Sequence, residues 1–265
     1  MTHKTAAILA IGDELLSGRT RDANIHHLAG WLTDRAIALR EARIVADDER
    51  AIVDALNALR GAHDYVFTSG GIGPTHDDIT YDAIAKAFGR RVTEHPGAIR
   101  LISAWYKAKD EEVTPPRRRM ALMPEGAELI MNPVTGAPGV RIENVFVMAG
   151  VPSIFQGMLN AIDTALERGV LVHSRAVTAM GLPESRIAEQ LLSIQNALKG
   201  VALGSYPIDG DEKGVTIVAR SENASLADAA ITSVAAAMRA LGADPVDGER
   251  PGRQVAGRDG DGKQD

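Results

Sequence analysis

Uninterrupted apolar runs alternate with helically spaced apolar residues through the first half of the chain. This alternation narrows the fold to a parallel sheet covered by helices on both faces. Ala6 to Ile11 is a continuous apolar run, as expected of a strand buried on both sides. From Asp22, Ile25, Leu28 and Leu32 recur at helical spacing, with Trp31 beside them. Ile37 to Val45 alternates in the manner of an edge strand. Asp48 is placed to cap a helix carrying Ile52, Val53, Leu56 and Leu59, and Tyr65-Val66-Phe67 reads as a second buried strand. Thr80 is expected to cap a helix from Tyr81 to Phe88 that Gly89 stops, and Pro96 to Lys109 reads as another. Glu128 to Met131 and Asn144 to Met148, separated by turn-rich Asn132-Pro133 and Ala137-Pro138-Gly139, predict a hairpin-like addition to the sheet. Pro152 to Arg168 closes the unit as a helix with proline in its first turn.

The fold class expected is therefore α/β, a doubly wound three-layer mostly parallel sheet over residues 1–169. A small α+β module follows over 170–243. It reads as a strand (Val170 to Met180), a helix (Pro183 to Leu198), two strands (Val201 to Tyr206 and Gly214 to Arg220) and an alanine-rich helix (Ser225 to Leu241). From Asp244 glycine, proline and mixed charge prevail without periodicity, which predicts a disordered tail over 244–265.

The chain has no cysteine, so thiolate metal sites, disulfides and cysteine nucleophiles are excluded, and any metal must be held by oxygen or imidazole. The net charge of −6 divides as −3, −2 and −1 over residues 1–169, 170–244 and 245–265, and no segment is basic enough to suggest nucleic acid as a ligand. The N-terminal apolar stretch is too short to span a bilayer and has no cleavage pattern, so no membrane association and a cytoplasmic location are expected.

Two loops stand out as candidates to carry chemistry. Gly12-Asp13-Glu14 follows the first strand, and Gly70-Gly71-Ile72-Gly73-Pro74-Thr75-His76-Asp77-Asp78-Ile79-Thr80 follows Tyr65-Val66-Phe67. In an open doubly wound sheet, ligands bind beyond the carboxyl ends of strands where the strand order reverses, and both loops would meet there. Gly70, Gly71 and Gly73 clear side chains from a backbone whose N–H groups precede a helix, a setting that suits phosphate as well as a plain tight turn. The loop lacks the lysine of a P-loop, and His76 stands where a dinucleotide fingerprint needs glycine. Asp13, Glu14, Asp77 and Asp78 put four carboxylates on these loops. Beside a bound phosphate they imply a divalent cation, Mg²⁺, Mn²⁺ or Co²⁺; the alternative is that Asp78 or Thr80 caps the next helix. His76 reads as an exposed bystander, and the adjacent His26 and His27 point in different directions. Of the run Arg117-Arg118-Arg119, Arg118 is the candidate anion contact. Gly150, in Ala149-Gly150-Val151-Pro152, sits on a third loop of the same rim.

Four segments in order, GDELLSGRTRDAN, TSGGIGPTHDDIT, RRRMALMPEGAELIMNP and FVMAGVPSIF, resemble the molybdopterin-binding-like domain of the CinA (competence/damage-inducible) proteins. A related domain belongs to eukaryotic FAD synthases, and the MoaB/MogA molybdopterin enzymes share the fold. The resemblance covers roughly residues 5–168, and Gly204-Ser205-Tyr206-Pro207 extends it into the second module. It implies a MoaB/MogA-like sheet, with Asp78-Ile79-Thr80 matching the Asp-x-Thr that binds pterin phosphate and supplies an acid near the metal. It further implies divalent-metal-dependent hydrolysis of a nucleotide pyrophosphate of the ADP-ribose or FAD class, with Asp78 and Asp77 catalytic. Gly70, Gly71, Gly73, Thr75 and Thr80 would hold phosphate, and Asp13, Glu14, Asp77 and Asp78 the cation. The alternatives are a molybdopterin-binding or adenylyl-transferring protein and a non-enzymatic nucleotide-binding protein. A homo-oligomer, dimer or trimer, is expected by analogy with the fold. Ala149-Gly150-Val151-Pro152 stands where many CinA proteins have Pro-Gly-Pro-Pro, and Met120 where they have Gln. Both differences lean toward the FAD-synthase-linked version. No deamidase domain follows, so deamidation is not expected.

Overall fold

The computed structural model describes residues 4–209 and 213–248, and the chain divides into two units between Val170 and Leu171. The first unit opens with β1 (Lys4–Ile11), a single turn α1 (Asp13–Leu16), α2 (Asn24–Thr33), β2 (Ile37–Val45), α3 (Glu49–Ala62) and β3 (Tyr65–Ser69). It continues through α4 (Thr80–Ala87), β4 (Val92–Glu94), α5 (Pro96–Lys107), α6 (Pro115–Arg119) and β5 (Leu122–Pro124). It closes with β6 (Glu128–Ile130), β7 (Gly139–Ile142), β8 (Val145–Met148) and α7 (Pro152–Ala161). Six strands form one sheet in the order β2-β1-β3-β8-β7-β6; the first four are parallel, and β7 and β6 are antiparallel additions.

The period-2 alternation of β1 divides its side chains between two helical layers. Ala6 and Ile8 face Leu28, Trp31 and Leu32 of α2 and Phe155, Met158 and Leu159 of α7. Ala7, Leu9 and Ile11 face Ile52, Leu56 and Leu59 of α3, Ile84 of α4 and Ile102 of α5. The doubly wound three-layer fold expected from the sequence is thus the one observed. Phe67 and Phe146 stack with centroids 5.2 Å apart across β3 and β8, where strict register makes them partners. β2 is the sheet's edge, as its alternation predicts, and Asp48 caps α3 by accepting from the Ala51 N–H at 2.8 Å.

Three local expectations are corrected. Val145–Met148 forms its hairpin with Gly139–Ile142, not with 128–131, because the positive φ of Glu143 (51°) closes a tight turn between them. α7 ends at Ala161, where the chain turns through a short 3₁₀ segment (Asp163–Ala165) held by Arg35 Nε donating to Asp163 Oδ1 at 2.6 Å. Thr80 lies inside α4; Ile79 takes the capping position.

The second unit contains β9 (His173–Met180), α8 (Glu184–Ala197), β10 (Ala202–Ile208), β11 (Gly214–Ser221), α9 (Ala224–Ala240) and β12 (Pro245–Asp247). Its sheet runs β10-β11-β9-β12, antiparallel throughout, with Val177, Val215 and Ile217 packed on Ile187 of α8 and Ala230, Val234 and Met238 of α9. Pro245–Asp247 pairs with β9, so the tail expected from Asp244 does not begin there; residues 249–265 lie outside the described residues. No helix among the described residues is long and apolar enough to cross a membrane.

Candidate functional site

β1 stands between β2 and β3, so the connections leaving it and those returning to β3 diverge and open a crevice at the carboxyl ends of the strands. Three loops meet at this crevice, those after β1, β3 and β8. Gly70 begins the second, with φ +114° and its N–H donating to Met148 O at 3.1 Å. A Cβ on Gly70 would lie 2.2 Å from Ile11 O, so only glycine lets the loop pass this close to β1. At Gly71, φ is +67° and a Cβ would lie 2.2 Å from Thr80 Oγ1.

Thr80 is wholly buried; its hydroxyl donates to Gly70 O at 3.0 Å and its N–H to Gly71 O at 3.0 Å. Thr80 therefore clamps the glycine loop and is not a phosphate contact, contrary to the expectation for it. Thr75 and Asp78 are likewise turned to each other. Asp78 Oδ2 accepts from the Thr75 N–H at 2.8 Å and from its hydroxyl, and the carboxylate lies against Gly73, where a Cβ would meet Oδ2 at 2.7 Å. Among the described residues, no protein acceptor meets the N–H groups of Gly71, Ile72 or Gly73.

These groups line a cavity of about 570 Å³, within the range of small-molecule sites. It is lined by the loop from Gly70 to Pro74, by the polar Glu14, Thr20, Asp78, Asn132 and Thr135, and by the less polar Tyr106, Met120, Pro138, Val151, Ile154 and Met158. Gly150 lies on the rim, where a Cβ would come within 3.2 Å of Gly70 Cα. Its carbonyl accepts from Asn24 Nδ2 at 2.7 Å, and the same Nδ2 reaches Ser69 Oγ at 2.7 Å. Asn24, 3% exposed, thereby ties the third loop to the second. Asn24 is not among the sequence-predicted site residues, although a polar residue opening an amphipathic helix just after a loop at a strand's carboxyl end is a usable signal.

The carboxylates gather only in part. Glu14 folds back over Gly12, where a Cβ would lie 2.5 Å from Glu14 Oε1, and the Asp13 N–H donates to Asp47 Oδ2 at 3.0 Å. Asp47 is held above the usual carboxylate range, by burial first and then by the negative charges of Asp13, Glu14 and Asp77, against the lowering effect of the Asp13 N–H. The loops after β1, β2 and β3 thus share one negative field. Asp47 was missed in the sequence because the neighbouring Asp48 explained the helix start. The donor chemistry, oxygen only, fits a hard divalent cation. Among the described residues, however, no three His, Asp or Glu side chains stand close enough to hold an ion as they are placed.

Arg118 does not reach the cavity: its Nε and Nη2 donate to Glu94 at 2.5 and 2.9 Å, which corrects the expectation of an anion contact. Arg117 is held by Glu111 and by Glu112 O. It is Arg119 that lies beside the loop, lining an adjoining cavity of about 330 Å³ with Gly73 and Asp78.

Residues 7–168 match the family described as "Probable molybdopterin binding domain", and residues 172–246 match "FAD synthase, middle domain". A protein of Aeropyrum pernix is 33% identical over 225 residues, 82% of this chain and 83% of its own length. A CinA-like protein of Desulfosudis oleivorans is 34% identical over 209 residues, 75% of this chain; the match spans 51% of that longer protein. The crystal structure of a CinA protein of unknown function from Thermoplasma acidophilum aligns at 32% identity and a TM-score of 0.57, over 61% of this chain and 97% of that one. The chain belongs to the CinA-like branch of the molybdopterin-binding-domain family, with a FAD-synthase-type middle domain as its second unit.

Proposed function

We propose that the chain binds a nucleotide or pterin phosphate in the cavity at the switch point and hydrolyses a pyrophosphate bond there with a divalent cation. The observation that carries this reading is the pairing of the open N–H groups of Gly71, Ile72 and Gly73 with a carboxylate-lined rim in one cavity. Backbone N–H groups ahead of a helix attract phosphate oxygens without contributing a side-chain charge. Thr80, Thr75 and Asp78 hold those groups in place before any ligand arrives, and so reduce the ordering cost of binding. Glu14 and Asp77, both exposed, would hold the cation with Asp13 and Asp47. The ion would supply charge neutralisation and an acidified water.

Purified protein incubated with ADP-ribose or FAD and Mg²⁺, Mn²⁺ or Co²⁺ is expected to release AMP, and the double variant Glu14→Gln, Asp77→Asn to release far less. No AMP with any of the three metals overturns the hydrolytic half of the reading. A second reading, binding without turnover, is favoured by the absence of three gathered ligands among the described residues. It predicts calorimetric binding of a nucleotide or pterin phosphate with no metal dependence and no product.

A further inference from the structure

The run Arg117-Arg118-Arg119 closes α6, and consecutive helical residues project about 100° apart, so the three guanidinium groups have three destinations. Arg117 is held by Glu111 and by Glu112 O, and Arg118 by Glu94. Arg119 goes to the glycine loop, where its Nη2 donates to Asp78 O at 3.5 Å, the outer limit of a hydrogen bond. Among the described residues, every other half-buried arginine (Arg35, Arg43, Arg60, Arg117 and Arg141) forms an ion pair with a carboxylate. Arg119, equally half-buried, forms none with any described carboxylate, although Asp78 and Asp82 line the same cavity. A guanidinium has five N–H donors, so one long contact leaves most of its bonding capacity unspent. The cavity of about 330 Å³ that Arg119 lines shares Ile72, Gly73 and Asp78 with the larger one. The two spaces therefore meet at the loop that carries the open N–H groups. The Asp78 carboxylate is turned to the Thr75 N–H and hydroxyl, and Asp82 is exposed. What this cavity offers a ligand is thus the fork of Arg119, whose planar geometry matches the oxygens of a phosphate.

We propose that Arg119 receives a second anionic group of the ligand whose first phosphate lies on the N–H groups of Gly71, Ile72 and Gly73, so that the site takes a diphosphate and Arg119 is the residue that distinguishes it from a monophosphate. The proposal rests on the phosphate reading of the loop and deepens it. The loop alone accepts any phosphate, and the guanidinium adds the requirement for a second one. Asp78 and Asp82 sharpen that requirement, because their charges disfavour an anion in this cavity that does not reach Arg119 itself.

The test is calorimetry of the full chain with ADP and AMP at one salt concentration, for the unaltered protein, Arg119→Ala, Arg119→Lys and Arg118→Ala. The unaltered chain is expected to bind ADP more tightly than AMP. Arg119→Ala should weaken ADP by roughly 10- to 100-fold, the range of a lost charge-assisted hydrogen bond, and AMP by less than about twofold, so that the preference collapses. Arg119→Lys, which keeps the charge and loses the fork, should fall between. Arg118→Ala removes the same charge from the neighbouring exposed pair with Glu94 and should leave both affinities unchanged. Equal weakening of ADP and AMP by Arg119→Ala makes Arg119 a support of the loop through Asp78 O, and overturns the subsite. So does an unaltered chain that binds the two nucleotides equally, or an Arg118→Ala effect as large as that of Arg119→Ala; in each case AMP binding leaves the phosphate reading standing. Failure of the unaltered chain to bind either nucleotide overturns both. A melting curve of Arg119→Ala matching the unaltered protein's separates lost binding from lost folding. If that variant does not fold, Arg119→Gln, which keeps a donor and removes the charge, decides the question by the same comparison.

Discussion

Replacing Gly70 by alanine tests whether the loop's path is dictated by backbone contact. The new Cβ would sit 2.2 Å from Ile11 O, and φ at this position is +114°. Neither partner is a flexible side-chain end, so β1 and the loop must part by about 1 Å to restore van der Waals distance in a close-packed interior. The positive φ costs an L-residue about 1–2 kcal/mol, and forced overpacking adds about 1–3 kcal/mol. Gly18→Ala is the control, with φ +72° and nothing within 4 Å of its Cβ, so that it bears the backbone cost alone. Trp31 and Trp105 are the chain's two tryptophans and both lie in the first unit. Their emission during urea unfolding therefore reports that unit without interference from the second, which matters because a two-unit chain has no single unfolding free energy. Gly70→Ala should lose about 1–3 kcal/mol more than Gly18→Ala. Equal midpoints for the two variants would refute a steric role for Gly70.

Thr80→Val removes the buried hydroxyl that donates to Gly70 O while keeping the side chain's shape; about 1–2 kcal/mol should be lost by tryptophan emission, nucleotide affinity should fall with it, and Thr80→Ser should restore both. Asp47 has a raised carboxyl, so the native state binds the extra proton and stability declines as pH rises from the ordinary carboxylate value through the raised one. Asp47→Asn keeps an acceptor for the Asp13 N–H and drops the repulsion. Its melting temperature at neutral pH should match or exceed that of the unaltered chain, and a lower one would sink the shared-field account. Arg118→Ala, which breaks an exposed pair with Glu94, should leave nucleotide affinity unchanged by calorimetry. Asn24→Ala should weaken nucleotide binding, since it releases Gly150 O and Ser69 Oγ together, and binding titrations unaltered by it would refute the tie between loops.

The layers were legible because their signals are local. β1 shows its burial as an unbroken apolar run, and α3 shows its start in Asp48 and its buried stripe in Ile52, Leu56 and Leu59. The hairpin of Gly139–Ile142 was not legible, since Pro138-Gly139 reads as a turn and the pairing with Val145–Met148 depends on a non-glycine residue, Glu143, taking a positive φ. At the site, residue type was a sound guide to location and a poor guide to role. Asp13, Glu14, Asp77, Asp78 and the three glycines are all at the switch point. Arg118 is not, because Glu94, 24 residues earlier in sequence, takes its guanidinium, and no local pattern could show that.

The residues assigned to phosphate by motif divide, in three dimensions, into those that can touch a ligand and those that shape what touches it. The Thr80 hydroxyl and the Thr75 N–H and hydroxyl bond within the loop, the last two to Asp78 Oδ2. By doing so they fix the path of Gly71, Ile72 and Gly73 along the cavity, where no acceptor among the described residues meets their N–H groups. The Thr of an Asp-x-Thr after a glycine loop can therefore be required for binding without its side chain contacting the ligand. The consequence separates the two roles: Asp78→Asn, whose side-chain oxygen can still accept from the Thr75 N–H, should retain far more nucleotide affinity than Asp78→Ala. If Asp78 acted instead by its charge, through a cation or a proton, Asn and Ala would be equally disabling, so the ratio of the two affinities measures how much of this residue's role is architecture.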